Sequence, residues 1–293
     1  MIQWYPGHMA KAKKEIQEKL KLVDIVFELL DARIPFSSQN PEFQNIFATS
    51  KRLIIITKSE MADKIETAKW QKHFKNQGID SITVDSISGA NVKNIVNSAK
   101  VVLEEKIKKD LARGLKPRAI RAMVVGIPNV GKSTLINKLT GKHSAATGDK
   151  PGVTKAQQWI RINKDLDLLD TPGVLWPKFE SITQSYHLAL TGAIKDDVVR
   201  KEDMILYFLD FLKKYYPTNL VDRYNVNVDD DNVSILEKIG RSRGFIKANE
   251  VDYEKVYETL LTDFRSLRLG RITLDHEDSI WHVFIWKQIQ KTW

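Results

Sequence analysis

The stretch LIIITKSE, residues 53–60, runs four apolar residues and a threonine into a lysine, with a glutamate two positions further on. A short β-branched run bounded by polar residues is the pattern of a strand buried on both faces. The same pattern recurs as VDIVFELLDA (23–32), SITVDS (81–86), AMVVGI (122–127), WIRI (159–162) and LDLLDTPG (166–173). Segments of helical period lie between: 10–22, 61–78, 91–114 and 132–141. Strands alternating with helices predict a mostly parallel α/β sheet covered on both faces. Whether TKSE is only the polar turn that ends a strand, or a binding motif, depends on what else this sheet carries.

Beyond about residue 178 the β-branched runs stop. KEDMILYFLDFLKKYY (201–216), VSILEKIG (233–240) and DYEKVYETLLTDFRSLRLG (252–270) read as helices, and Val256, Leu260, Phe264 and Leu267 at helical spacing read as core. The expected organisation is an α/β domain over 1–178 and an all-helical domain over 179–293.

The chain has 293 residues, of which 42% are hydrophobic, enough for a sizeable core. With no cysteine there is no disulfide framework and no thiolate metal site or nucleophile, which fits a reducing cytoplasmic setting. No run approaches the roughly 20 apolar residues of a membrane span, and the N-terminus lacks the pattern of a secretory signal; a soluble protein with no membrane partner is expected. The net charge of +9 is uneven: +8 over 1–121, +3 over 122–177 and −2 over 178–293. A basic first half suits a polyanion, nucleic acid above all, and equally suits a solvated surface.

GIPNVGKST (126–134) fits G-x-x-x-x-G-K-[ST], between a strand and an apolar-periodic helix. Gly126 and Gly131 let the backbone amides of Asn129, Val130, Lys132, Ser133 and Thr134 curl around phosphate oxygens at a helix N-terminus. Lys132 reaches the outer phosphates and Ser133 offers a hydroxyl to Mg2+. In DTPG, Asp170 ends a strand where it is suited to hold the same ion, and Gly173 offers its amide to a terminal phosphate. Thr154, in the polar segment 142–159, is the expected second hydroxyl ligand.

The loop identifies a triphosphate site and leaves the base open. Most GTPases read guanine with N/T-K-x-D at the end of a strand, the carboxylate accepting from the purine N1–H and 2-amino group. Thr57, Lys58 and Glu60 are a near match, and SISGAN (86–91) resembles the loop whose amides meet guanine O6, here Ser86, Ile87 and Ser88. Both precede the phosphate loop. Read from residue 53 and wrapped around, the motifs are the usual set in rotated order. Rotation is harmless to a site assembled from loops along one sheet edge.

The segments WYPGHMAKA (4–12), DARIPFSSQNP (31–41), TKSE, GIPNVGKST, PGVT (151–154) and DTPGVLWPKF (170–179) together resemble the circularly permuted GTPases, in particular those of bacterial ribosome assembly. The resemblance covers the whole chain. It implies a GTP-binding, GTP-hydrolysing switch, slow alone and stimulated by the ribosomal subunit. Such a switch acts in late assembly of the large ribosomal subunit, binding its precursor and rRNA, the helical domain taking part, as a monomer. The family has Asp where this chain has Glu60, so weaker guanine selectivity is expected.

Other functions compete with this one. An RNA-binding scaffold could hold nucleotide without useful turnover, and a P-loop kinase or ATPase could share the phosphate loop. The latter leaves TKSE, SISG and PGVT without a role. For RNA, RSRG (241–244), LRLGR (267–271) and Lys11, Lys13 and Lys14 are the expected contacts; the aromatic tail 279–293 reads as packing or as base stacking.

After D-x-x-G, Ras-like enzymes carry a glutamine that positions the attacking water; here Val174 and then Leu175 follow, and aliphatic groups cannot orient water. His8, beside Gly7, is the candidate to do so, against the alternative that it pins the N-terminus. Asn129 either helps bind K+, supplying the charge of an arginine finger, or stabilises its own loop. Replacing His8 by Ala is expected to leave GTP affinity near normal and to lower single-turnover hydrolysis by at least about tenfold; unchanged turnover, with and without ribosomal subunits, removes His8 as the water-positioning group.

Overall fold

Every residue of the strand Ile25–Asp31 is buried, and this strand lies at the middle of a six-stranded sheet. The computed structural model describes residues 7–141, 158–171, 173–175, 179 and 181–276, except the side chains of 7–13 and 158. The strands are β1 (Ile25–Asp31), β2 (Arg52–Thr57), β3 (Asp80–Thr83), β4 (Ile120–Gly126), β5 (Gln158–Arg161) and β6 (Leu166–Asp170), in the order β3-β2-β1-β4-β6-β5. All neighbours are parallel except β5, which pairs antiparallel with β6. Four residues separate β5 from β6. A parallel crossover needs about a dozen, so a hairpin is the only possible connection.

The helices are α1 (Gly7–Leu20), α2 (Pro41–Ile46), α3 (Lys64–Asn76), α4 (Ile95–Val102), α5 (Glu104–Ala112), α6 (Lys132–Thr140), α7 (Ile182–Leu190), α8 (Lys201–Tyr215), α9 (Pro217–Tyr224), α10 (Asn232–Ser242) and α11 (Tyr253–Arg265). The single helix expected over 91–114 is interrupted: a 3-10 turn covers Val92–Asn94, and α4 and α5 part at Leu103, whose ψ of 5° departs from the helical value. Leu267 is a second correction. Helical spacing placed it in the core, but it lies past the end of α11 with φ +64° and is 37% exposed.

The pleat of β1 divides its side chains between two faces. Ile25, Phe27 and Leu29 join Leu53, Ile55, Ala122 and Val124 on one face, packed with Ile95 and Ala99 of α4 and Leu135 and Ile136 of α6. That cluster continues without a break into Leu188, Phe208, Ile235 and Leu260 of the helical half. On the other face Val26, Met123, Val125 and Leu169 pack with Ile16 of α1 and Phe43 and Phe47 around α2. Leu30, Ile54 and Ile56 pack there with Trp70 and Phe74 of α3. Contiguous apolar runs are what a doubly covered sheet requires, which is why 53–56 shows no alternation.

This winding positions the site. The chain lays β2 and β3 on one side of β1, then crosses to place β4 and β6 on the other. The switch point lies between β1 and β4, the place where open α/β sheets bind ligands beyond their strand ends. Asp31 pairs with Thr57, Leu29 with Gly126, and Val124 with Asp170, so the four strand ends reach the same edge.

After α11 the chain returns to this edge. Trp70, 1% exposed, donates from Nε1 to the Asp275 carbonyl at 2.8 Å, joining α3 to the end of the helical half. Trp70→Ala removes the packing and the bond and is expected to cost roughly 3–5 kcal/mol. Trp70→Phe, which loses chiefly the bond, costs about 1–2 kcal/mol. Urea denaturation of the two variants checks the order.

Candidate nucleotide-binding site

Gly126, at the end of β4, has no room for a side chain: an added Cβ lies 2.9 Å from the Leu29 carbonyl oxygen. Gly131 takes φ +97° and turns the chain into α6, which begins at Lys132. Residues 126–134 are thus the expected strand–loop–helix turn, its amides at the positive end of a helix dipole. Lys132 is buried, and its Nζ donates to the carbonyls of Gly126 (3.2 Å) and Ile127 (3.1 Å). Burial lowers this ammonium to about 8, against the pull of the nearby Asp170 carboxylate. Gly173 closes over the loop, where an added Cβ would lie 2.9 Å from Pro128 N and 3.1 Å from Lys132 Nζ. Val174 is buried and its amide donates to the Gly126 carbonyl at 3.1 Å, so it serves packing and takes no part in orienting water.

Asp170 ends β6 with Oδ1 buried and, among the described residues, without a hydrogen-bond partner, and burial raises its carboxyl despite Lys132. A buried carboxylate oxygen with nothing to accept from is a poor element of a core and a good hard-cation ligand. Together with Ser133 at the start of α6, it fits Mg2+. Thr154 lies outside the described residues, as does the side chain of His8.

The base loop meets this cradle directly. Thr57 Oγ1 lies 2.6 Å from the Val130 carbonyl and 3.0 Å from that of Leu30. Lys58, at φ +56°, reaches across to the Asn129 carbonyl at 2.6 Å. Residues 57–58 and 129–130 therefore touch, although about seventy positions separate them. Glu60 sits on a 3-10 turn, Ser59–Met61, with Oε2 buried and, among the described residues, without a partner. Burial raises its carboxyl, and repulsion from Asp85 adds to the effect. Ser86 Oγ is likewise buried without a partner. The amides of Ile87 (2.7 Å) and Ser88 (3.0 Å) donate to Asp85 Oδ1, and Lys138 Nζ donates to the Ile87 carbonyl at 2.8 Å, fixing the loop against α6. Both amides thus close the turn of residues 85–88 onto its own carboxylate.

Sequence reading missed the group beneath this arrangement. Asp31 is buried at the end of β1. It accepts from Arg33 at 3.0 Å and 2.7 Å and lies 3.0 Å from Lys58 Nζ. Burial pushes the Asp31 carboxyl up, but Arg33 and Lys58 outweigh it and hold it well below the usual range. Burial lowers the Lys58 ammonium, opposed by Asp31. Arg33, itself buried, also donates to the Thr191 carbonyl at 3.3 Å and lies over the Phe264 ring. DARIPF was visible as a motif, but nothing in it announced an ion pair supporting Lys58. Asn129, at φ +56°, donates from Nδ2 to the Gly192 carbonyl at 2.8 Å, tying the phosphate loop to the turn after α7.

A glycine-turned loop between β4 and α6, a carboxylate at the end of β6 and the turn after β2, with the last preceding the first in the chain, are the arrangement of a circularly permuted P-loop GTPase. A family model described as "50S ribosome-binding GTPase" matches residues 121–242. Ribosome biogenesis GTPase A of Bacillus cereus is 48% identical over 277 residues, 94% of each chain, and that of Priestia megaterium is 50% identical over 94% of this chain and 96% of its own. The crystal structure of GNP-bound YlqF from T. maritima superposes with TM-score 0.65 at 27% identity, covering 91% of this chain and 98% of that one. The chain belongs to the ribosome biogenesis GTPase A family and is a GTPase.

Nucleotide phosphates favour the charged form of Lys132, so binding raises a pKa that starts near 8. Affinity for GDP is therefore expected to fall as pH rises through about 8, and binding near pH 9 to take up close to one proton. Calorimetry in buffers of different ionisation enthalpy reads this directly; Lys132→Arg, whose guanidinium stays charged, abolishes the uptake.

Proposed function

We propose that this chain is a GTP-dependent switch that binds the precursor of the large ribosomal subunit, contacts its rRNA and acts late in its assembly. The observation that carries the reading is the contact of Thr57 and Lys58 with the phosphate loop, which gives one ligand both a guanine reader and a triphosphate cradle. The names of the relatives and of the matching family supply the ribosomal context.

In this reading residues 1–178 bind nucleotide and 179–293 form the helical domain that shares in the RNA contact, in a cytoplasmic monomer. Thr57, Lys58 and Glu60 face the base with Ser86, Ile87 and Ser88. Asn129 to Thr134 and Gly173 face the phosphates. Ser133, Asp170 and Thr154 hold Mg2+, which when bound neutralises charge on the phosphate oxygens. His8 orients the attacking water, and Asn129 contributes to K+ binding. Turnover is slow without the ribosomal subunit.

For the RNA contact, the helical half has a concentrated positive patch. Asp263, 1% exposed, accepts from Arg223 (2.8 and 2.9 Å) and Arg243 (3.3 Å), and Arg268 lies 3.5 Å away. Three guanidiniums on one carboxylate leave net positive charge in a fixed array, with the Tyr224 ring beneath Arg223 and Arg243. Planar donors held this way suit phosphate oxygens. Arg243 and Arg268 belong to the two segments singled out in the sequence, RSRG and LRLGR.

Retention of precursor particles on the immobilised chain tests the proposal. With a non-hydrolysable GTP analogue, large-subunit precursors and their rRNA are expected to be retained, with GDP far less, and ATP is expected not to compete. Retention indifferent to the nucleotide, or equal competition by ATP, contradicts it.

A further inference from the structure

The base-reading turn is held on its inner side by the phosphate loop and on its outer side by a strap, residues 271–275, that the chain forms after α11. Ile272, Thr273, Leu274 and Asp275 are each no more than 1% exposed, although none lies in a helix or strand. Buried backbone of this kind needs partners, and here they are the loops beyond β1 and β2. The Ile272 amide donates to the Met61 carbonyl at 3.3 Å, and the Leu274 amide to the Arg33 carbonyl at 2.7 Å. Arg271 Nε donates to the Glu60 carbonyl at 3.0 Å, and the Asp63 amide to Thr273 Oγ1 at 3.1 Å. The Thr273 amide in turn donates to the Tyr216 hydroxyl at 3.1 Å, which fixes the strap to the end of α8. Ser37, in the loop after β1, donates to Asp275 from its amide (2.6 Å) and its hydroxyl (2.8 Å).

Three consecutive strap residues, 271, 272 and 273, are thus bonded to the backbone of residues 60, 61 and 63, the turn that presents the Glu60 carboxylate and the cap that follows it. None of these bonds falls on the phosphate loop. We propose that Arg271 and Thr273 are positioning residues for guanine recognition: the helical half, through this strap, sets where the Glu60 carboxylate stands. The turn carries a glutamate, one methylene longer than the family's aspartate, so its backbone has to stand further back for the carboxylate to meet the same two donors. A two-hydrogen-bond reader loses discrimination when its donors and acceptors misalign by about 1 Å. A partner that draws the helical half away would then loosen the base end of the nucleotide before the phosphate end. This rests on the assignment of residues 57–60 as the guanine reader.

The test is calorimetric binding of GTP, ITP and tripolyphosphate to the full chain, to Arg271→Ala with Thr273→Val, and to Tyr216→Phe, which keeps the ring and deletes the hydroxyl that accepts from the Thr273 amide. ITP lacks the 2-amino group. The inference expects the GTP-over-ITP preference to shrink at least about fivefold in the double variant and by less in Tyr216→Phe, with tripolyphosphate affinity unchanged. A preference equal to wild type in the double variant overturns it. So does an equal loss of GTP, ITP and tripolyphosphate affinity, which makes the strap a general support of the fold. Should the unaltered chain itself fail to prefer GTP over ITP, the assignment of residues 57–60 falls, and the strap's role with it.

Discussion

The site depends on one junction, where the Thr57 hydroxyl and Lys58 ammonium meet the carbonyls of Val130 and Asn129. Through it, two loops far apart in the chain become one surface. The junction is possible because β2 and β4 flank β1 in the same parallel sheet and end at the same edge. A sheet constrains which strands are neighbours and does not constrain which comes first, so the permuted order costs the geometry nothing.

Holding Lys58 there requires a buried anion. Asp31 supplies it, and Arg33 makes the burial tolerable by donating to the same carboxylate from a position that is itself closed to solvent. Removing one partner of such a group leaves charge uncompensated in the interior, typically about 3–5 kcal/mol. The ion group also gives the nucleotide edge its hold on the helical half, since Arg33 reaches the Thr191 carbonyl and Asn129 the neighbouring Gly192 carbonyl. The turn after α7 is braced in its turn by Arg265, which donates to the carbonyls of Ala189 and Leu190. Base loop, phosphate loop and helical half are therefore joined through a small set of buried polar contacts.

Much of this was legible in the sequence because it is local. The glycines of 126–131, the strand before them and the helix after them are consecutive, and the carboxylate at the end of LDLLD needs only its own strand. The apolar runs located all six strands of the main sheet, though not the two-residue strands Ile246–Lys247 and Glu250–Val251 that pair within the helical half. What was not legible is set by tertiary contact. WIRI and LDLLD gave no sign of antiparallel pairing apart from the short span between them. Leu267 had helical spacing but lies beyond the helix. Arg271 stands in a basic segment, and nothing in that segment signals that its Nε donates to the Glu60 carbonyl, more than two hundred residues away. Ser37, His187 and Asp275 form a buried polar cluster whose members show no pattern along the chain.

The most direct measurement is a crystal structure of the chain with GDP. The account predicts the β-phosphate within the 126–134 loop and the guanine against residues 57–60, with the Glu60 carboxylate about 3 Å from the purine N1 and 2-amino nitrogens. A base bound elsewhere, with residues 57–60 turned from the ligand, contradicts it.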